Sequence, residues 1–259
     1  MSKIHEAFEH GKAFIAFITC GDPDIETTKK VIRSAAENGA DLIELGIPFS
    51  DPTAEGVVIQ SANYRALSGG VTTDKIFDMV REIRNDVKIP LVFMTYANVI
   101  FSYGTEKFIR TCQEIKIDGL IVPDLPFEEK EEFLPACKKF GVDLISMIAP
   151  TSDERIAMIA REAEGFIYVV SSLGVTGTRT NITTNLEEIV NSIRKSSKVP
   201  CAIGFGISNP EQAAKMSRIS DGVIVGSAIV KLIAKYGANS PEYVGQFVHE
   251  MKSAISVQN

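Results

Sequence analysis

Histidine is nearly absent from this chain: three residues in 259, His5, His10 and His249, all close to the ends. Their polar, helical surroundings read as solvent-exposed surface. A site built from the middle of the chain must then run its proton chemistry on carboxylates, tyrosine or lysine, and a histidine-rich metal site is excluded there. Cysteine is almost as scarce. Cys20, Cys112, Cys137 and Cys201 lie far apart in apolar contexts, with no CxxC or metal-like spacing. They read as buried free thiols of a protein from a reducing compartment, and a cytoplasmic location is expected. Excess positive charge is also missing. Lys and Arg total 27 against 33 Asp and Glu, a net charge of −6, and no long basic run offsets it, which argues against a nucleic-acid surface. The first ten residues are polar and amphipathic, neither a signal peptide nor a membrane span.

What the chain does have is alternation. Eight short apolar runs (14–20, 41–48, 90–96, 119–126, 143–150, 165–172, 200–206 and 222–226) alternate with amphipathic stretches at 26–38, 74–85, 105–115, 128–140, 153–164, 186–196 and 210–218. A further helical region follows Ser227, broken near 237–241. Glycine stands just past three of the helices, at Gly39, Gly141 and Gly165, where a left-handed cap is wanted. Thr72-Thr73-Asp74 and Ser208-Asn209-Pro210 read as helix starts. The apolar runs are nearly continuous, as parallel strands covered on both faces should be. Eight strand–helix units in about 250 residues predict one α/β domain over residues 1–259, a (β/α)₈ TIM barrel. A doubly wound sheet is the poorer fit, because Cys20-Gly21-Asp22-Pro23 after the first strand is no dinucleotide-binding fingerprint.

Within this pattern one residue is out of place. Glu44 interrupts the second apolar run, Asp41 to Pro48, and a carboxylate inside a core strand is costly unless it is paired or hydrogen-bonded. The residue pattern leaves two readings level: a structural ion pair inside the barrel, or an acid–base group near its mouth. The connection after this strand is long, from Phe49 to about Val71, with helical character over 57–67. It carries a second acid, Glu55, whose ordinary reading is a solvated loop residue. Asp124 and Asp22 are further strand-end acids able to cap neighbouring backbone.

Two further groups complete the inventory. Small-residue turns follow the sixth, seventh and eighth strands: Leu173-Gly174-Val175-Thr176-Gly177-Thr178, Gly204-Phe205-Gly206 and Gly226-Ser227. Three such turns at consecutive strand ends suit an oxyanion held by backbone N–H groups and a helix N-terminus, and barrels commonly bind phosphate after strands seven and eight. Phe17, Met94, Tyr96, Ile121, Tyr168 and Phe205 lie on strands. Each alone reads as core packing, but together they could line a pocket for a flat ring.

These residues carry a resemblance. Over essentially its full length the chain is similar to the α subunit of tryptophan synthase, through FIAFITCGDPD (14–24), IELGIPFSDP (43–52), MTYANVIFSYG (94–104), GLIVPDLPFEE (119–129), GVTGTR (174–179), GFGIS (204–208) and DGVIVGSAIV (221–230). The resemblance implies a (β/α)₈ barrel that cleaves indole-3-glycerol phosphate by retro-aldol chemistry to indole and glyceraldehyde 3-phosphate, a lyase step of tryptophan biosynthesis. It implies no cofactor in this subunit and a β-subunit partner carrying pyridoxal phosphate, in an α2β2 assembly. By matching position it gives Glu44 the proton transfers and puts Phe17, Ile121, Tyr168 and Phe205 around the substrate, where the residue pattern also places Tyr96. Gly177, Gly206, Gly226 and Ser227 fall at the phosphate, Thr176 falls in the lid, and Pro48, Asp51, Asn98, Phe101 and Pro126 face the partner. No metal ligand is implied.

One departure stands out. The family pattern usually reads D-P-L-A-D-G where this chain has Asp51-Pro52-Thr53-Ala54-Glu55-Gly56, so Glu55 replaces the family's second catalytic aspartate with one extra methylene. The alternative function this leaves open is a weakly catalytic or non-catalytic subunit that binds a phosphate ligand and regulates the β subunit. Another phosphate-sugar barrel enzyme would explain the glycine turns but not IELGIPFSDP.

Overall fold

The computed structural model describes residues 3–170, 183–204 and 206–256. A one-turn helix α1 (Glu6–Glu9) leads into β1 (Ala13–Thr19), α2 (Ile25–Glu37) and β2 (Leu42–Gly46). The long connection then folds α3 (Val57–Ser68) and α4 (Thr73–Ile83) before β3 (Leu91–Met94). Next come α5 (Ala97–Tyr103), α6 (Thr105–Glu114), β4 (Gly119–Ile121), a 3-10 turn (Phe127–Glu132) and α7 (Leu134–Phe140). The remainder runs β5 (Asp143–Leu144), β6 (Ser146–Ile148), α8 (Asp153–Arg161), β7 (Ile167–Val170), α9 (Thr183–Ser196), β8 (Cys201–Gly204), α10 (Pro210–Ile219) and β9 (Gly222–Val225). It closes with α11 (Ser227–Tyr236) and α12 (Ser240–Ser256), joined by a 3-10 turn at Gly237–Asn239.

Every pairing is parallel, in the order β5-β4-β3-β2-β1-β9-β8-β7-β6. The sheet's two ends are adjacent in sequence. β5 pairs with β4 and β6 with β7, and between them the N–H of Ile145 donates to the Leu120 carbonyl at 2.9 Å. Residues 143–148 are therefore one crossing whose two halves bond opposite neighbours, and the sheet closes into the eight-stranded barrel the sequence predicts.

The period-2 alternation of each strand sorts the core into two shells. Inward residues Ile15, Leu42, Val92, Ile121, Ile145, Phe166, Tyr168, Ala202 and Ile224 form one cluster, joined by Ile4 and Ala7 from the N-terminal segment. Outward residues such as Phe14, Ile43, Leu45, Phe93, Leu120 and Val223 pack under the helices, while Ile148, Ile167, Val169 and Ile203 do the same on the other side. The expected punctuation is present. Gly39, Gly141 and Gly165 have positive φ, Thr72 accepts from Lys75 N–H, and Asn209 accepts from Gln212 N–H ahead of Pro210. The helix expected over 128–140 is a 3-10 turn followed by α7, because Pro135 in the first turn of α7 has no N–H to continue an earlier helix. All four cysteines are free and buried, the three histidines are exposed, and among the described residues no helix is long and apolar enough to cross a membrane.

Two close approaches near the C-terminal end of the barrel need glycine. A Cβ on Gly46 would lie 2.6 Å from the Phe17 ring, and one on Gly204 would collide with the Tyr168 ring and hydroxyl. Gly204→Ala should cost about 1–3 kcal/mol through this overpacking. The check is a urea denaturation midpoint, which should fall in Gly204→Ala and stay put in Gly141→Asn, a cap glycine with open space around it.

Candidate active site

Glu44 takes its position from strand parity. Leu42 and Gly46 flank it on the inward face of β2, and it lies in register with Phe17 on β1 and Val92 on β3. It is 1 % exposed, and its Oε2 has no hydrogen-bond partner among the described residues. No cation pairs with it among those residues, so the ion-pair reading is set aside. Burial, reinforced by the charge of Glu55, pushes its carboxyl up to about 8, and Glu44 in turn helps raise the Tyr168 phenol. A carboxylic acid held protonated near neutral pH in an apolar site can deliver a proton.

Glu55 is not a solvated loop acid. It is 8 % exposed, because α3 folds back over the loop that carries it. The Asn63 side-chain amide donates to Glu55 Oε2 at 2.6 Å, and the Gln60 amide donates to the Glu55 carbonyl at 2.7 Å. One residue earlier, the Ala54 N–H donates to the Tyr96 hydroxyl at 3.2 Å, and the Tyr96 ring lies 5.2 Å from that of Phe49. Burial moves the Glu55 carboxyl up to about 7, with the Asn63 hydrogen bond pulling against it. The structure thus brings the two candidate acids into electrostatic reach of each other, with Tyr96 spent on bracing the loop.

Around the pair the walls are apolar. Phe17 clusters with Ala62 of α3 and Val230 of α11, with Val58, Ile59 and Met94 packed alongside. Ile121 and Tyr168 are buried in the inner shell. Gly226 and Ser227 head α11, which packs against α3 and has no side-chain cap on its first N–H groups. Gly206 has φ +78° and open space where a Cβ would be. Free N–H groups beside small residues are what an anion needs. Thr176, Gly177 and Phe205 lie outside the described residues. Of the other strand-end acids, Asp124 caps α5 by accepting from Ala97 N–H at 3.0 Å, while fully buried Asp22 takes both ends of the Arg65 guanidinium at 2.7 Å. Sequence reasoning missed Asn63 and Arg65. The signal was a polar residue on the face of α3 that also buries Ala62 and Ala66.

A family model described as tryptophan synthase alpha chain matches residues 4–256. The chain belongs to the tryptophan synthase alpha chain family. It is 46 % identical over 258 residues to the tryptophan synthase alpha chain of Lacticaseibacillus casei, covering 100 % of this chain and 97 % of that one. With the alpha chain of Lactiplantibacillus plantarum it shares 51 % over 237 residues, covering 91 % and 90 %. Among solved structures, tryptophan synthase of Mycobacterium tuberculosis superposes with a TM-score of 0.90 at 30 % identity, covering 99 % of each chain. Tryptophan synthase subunit alpha of Legionella pneumophila gives 0.89 at 36 %, again covering 99 % of each.

An alpha chain of this family implies a β-subunit partner. Of the five residues expected to meet it, Asp51, Asn98, Phe101 and Pro126 are exposed and Pro48 is buried. Phe101 is 48 % exposed, and Val57 and Tyr64 on α3 are more so.

The buried acids should cost stability in a pH-dependent way. The Glu44 pKa is raised on folding, so its contribution is most favourable below the unfolded carboxylate range and is lost as pH rises through about 8. Glu44→Gln, which keeps the shape and removes the titration, should therefore stabilise the fold at alkaline pH by on the order of 2–4 kcal/mol. The gain should vanish in acid; melting curves of both proteins across pH give the comparison, and a pH-independent difference would contradict this account of Glu44.

Proposed function

We propose that Glu44 and Glu55 are the residues with which this chain performs its family's lyase half-reaction, cleavage of indole-3-glycerol phosphate to indole and glyceraldehyde 3-phosphate. The observation that carries this reading is a buried Glu44 carboxyl, its Oε2 without a hydrogen-bond partner among the described residues, coupled to a second buried acid. Protonated Glu44 gives its proton to indole C3, and the ring nitrogen and C2 take up the positive charge as an iminium. Glu55, ionised, stabilises that charge at the indole N–H. The Glu44 carboxylate then removes the proton of the hydroxyl on the carbon bonded to C3. That carbon becomes the aldehyde, the C–C bond electrons return to the ring, and indole leaves with Glu44 reprotonated.

The remaining site residues support binding. Phe17, Ile121, Tyr168 and Phe205 enclose the indole, and Tyr96 fixes the loop that presents Glu55. Gly206, Gly226 and Ser227 receive the phosphate, and the family pattern assigns Gly177 and Thr176 to the same substrate. Phosphate recognition by backbone N–H groups suits an acidic protein, since no cationic side chain is required. The partner arrangement we propose is α2β2, with pyridoxal phosphate in the β subunit, Phe101 as an anchor of the contact, and a cytoplasmic setting.

The proton inventory fixes the pH dependence. Glu44 must be protonated, so activity falls above about 8, and Glu55 must be ionised, so activity falls below about 7. kcat/KM for indole release should therefore trace a narrow bell between these limbs. Glu44→Gln should lose roughly 10²–10⁴ in kcat, and a variant keeping most of its indole release would remove Glu44 from the acid–base role. Adding the β subunit should raise turnover of the isolated chain. Equal rates with and without it would argue that the partner does not order this site.

A further inference from the structure

α3 presents two polar side chains to the barrel mouth, and both reach acids on other segments. Asn63 is 3 % exposed and donates to Glu55 Oε2 at 2.6 Å. Arg65, two residues on, grips Asp22 through both its Nε and Nη2. Asp22 is fully buried in the turn after β1, and β1 pairs along its length with β2, the strand of Glu44. The Arg65–Asp22 pair thus registers α3 against the strand pair below it and fixes where the Asn63 amide stands relative to Glu44. Asparagine is a mediocre helix former and costly to bury unpaired, so its place on the buried face of α3 needs a partner. Glu55 is that partner.

We propose that Asn63 is the positioning residue of the carboxylate pair: it holds the Glu55 carboxylate, one methylene longer than the family's aspartate, in one place and leaves the proton of the pair on Glu44. The inference rests on the reading of Glu55 as the group that stabilises the indole N–H. A longer side chain has one more rotatable bond to fix, and a short hydrogen bond from a rigid helix fixes it. The groups that bear on Glu55 are few. Glu44 on β2 is a like charge when ionised; the Tyr96 phenol ahead of α5 donates nothing to Glu55 among the described residues and is itself raised by burial, and further by the Glu55 and Asp124 charges. Asn63 alone among these favours the ionised form of Glu55.

The test is indole release by the assembled complex with the β subunit, measured across pH for Asn63→Leu and Asn63→Asp. The leucine keeps the size without the amide, and the aspartate keeps the shape. For Asn63→Leu, kcat should fall roughly ten- to hundredfold with KM nearly unchanged, and the acid limb should move up by about one to two pH units. Asn63→Asp, which sets a second acid against Glu55, should move that limb at least as far, and it carries the test alone if the leucine variant does not fold. In a Glu55→Gln background the acid limb should be absent, and Asn63→Leu should add less than about a twofold further loss. An unmoved acid limb, or an equal loss in both backgrounds, overturns the positioning role while leaving Glu55 in place. Full activity in Glu55→Gln overturns the reading of Glu55 and this inference with it.

Discussion

A single carboxyl placed inside a closed parallel barrel constrains everything around it. Glu44 sits on the inward face of β2 among residues that exist to exclude water, with Phe17 and Val92 beside it in register. Such a position raises the energy of the ionised form. It also strengthens every charge interaction nearby, because the surroundings screen little. The same burial that makes Glu44 a poor structural residue makes it an acid at neutral pH, and it makes the placement of the next charge, Glu55, consequential. No described cation relieves the cost, so the chain tolerates a destabilised residue at the position to which we assign the proton transfers.

The second acid is delivered by tertiary folding. The connection after β2 is long enough to form α3, and α3 returns across the mouth to pack Ala62 against Phe17 and the α11 residue Val230. One aromatic ring thereby joins three parts of the site: the strand pair with Glu44, the loop and helix with Glu55, and the helix headed by Gly226 and Ser227. Gly46 leaves room for the Phe17 ring and Gly204 for that of Tyr168, so the apolar walls depend sterically on small residues at these strand ends.

The barrel was legible because its signals are local and repeated. Strand runs, glycine caps and helix starts each fall within a few residues, and closure follows once eight units are counted. The parity of β2 even places Glu44 inward, and what speaks against the ion pair is that no cation among the described residues pairs with it. What was not legible depends on distant partners. The sequence reads past α5, whose cap is Asp124, 27 residues downstream of Ala97. Asp51-Pro52-Thr53-Ala54-Glu55-Gly56 has the composition of a solvated turn, and Glu55 is buried only because α3 folds over it. Asn63 looks like any helix-surface amide until its buried neighbours Ala62 and Ala66 are known to face inward.

The replacement of the family aspartate by Glu55 can be followed to its physical consequence. From sequence, the extra methylene suggests a loop that retracts. In the structure the backbone is held on both sides of the residue, by Tyr96 at the Ala54 N–H and by Gln60 at the Glu55 carbonyl. The main chain is held at these two points, and the side chain turns its Oε2 to Asn63. A misplacement of about 1 Å can cost roughly a hundredfold in rate, so a longer acid is tolerable here only if its carboxylate is held as firmly as a shorter one would be. On the proposed reading, glutamate at this position is then a change in which atoms do the holding, with Asn63 fixing the carboxylate.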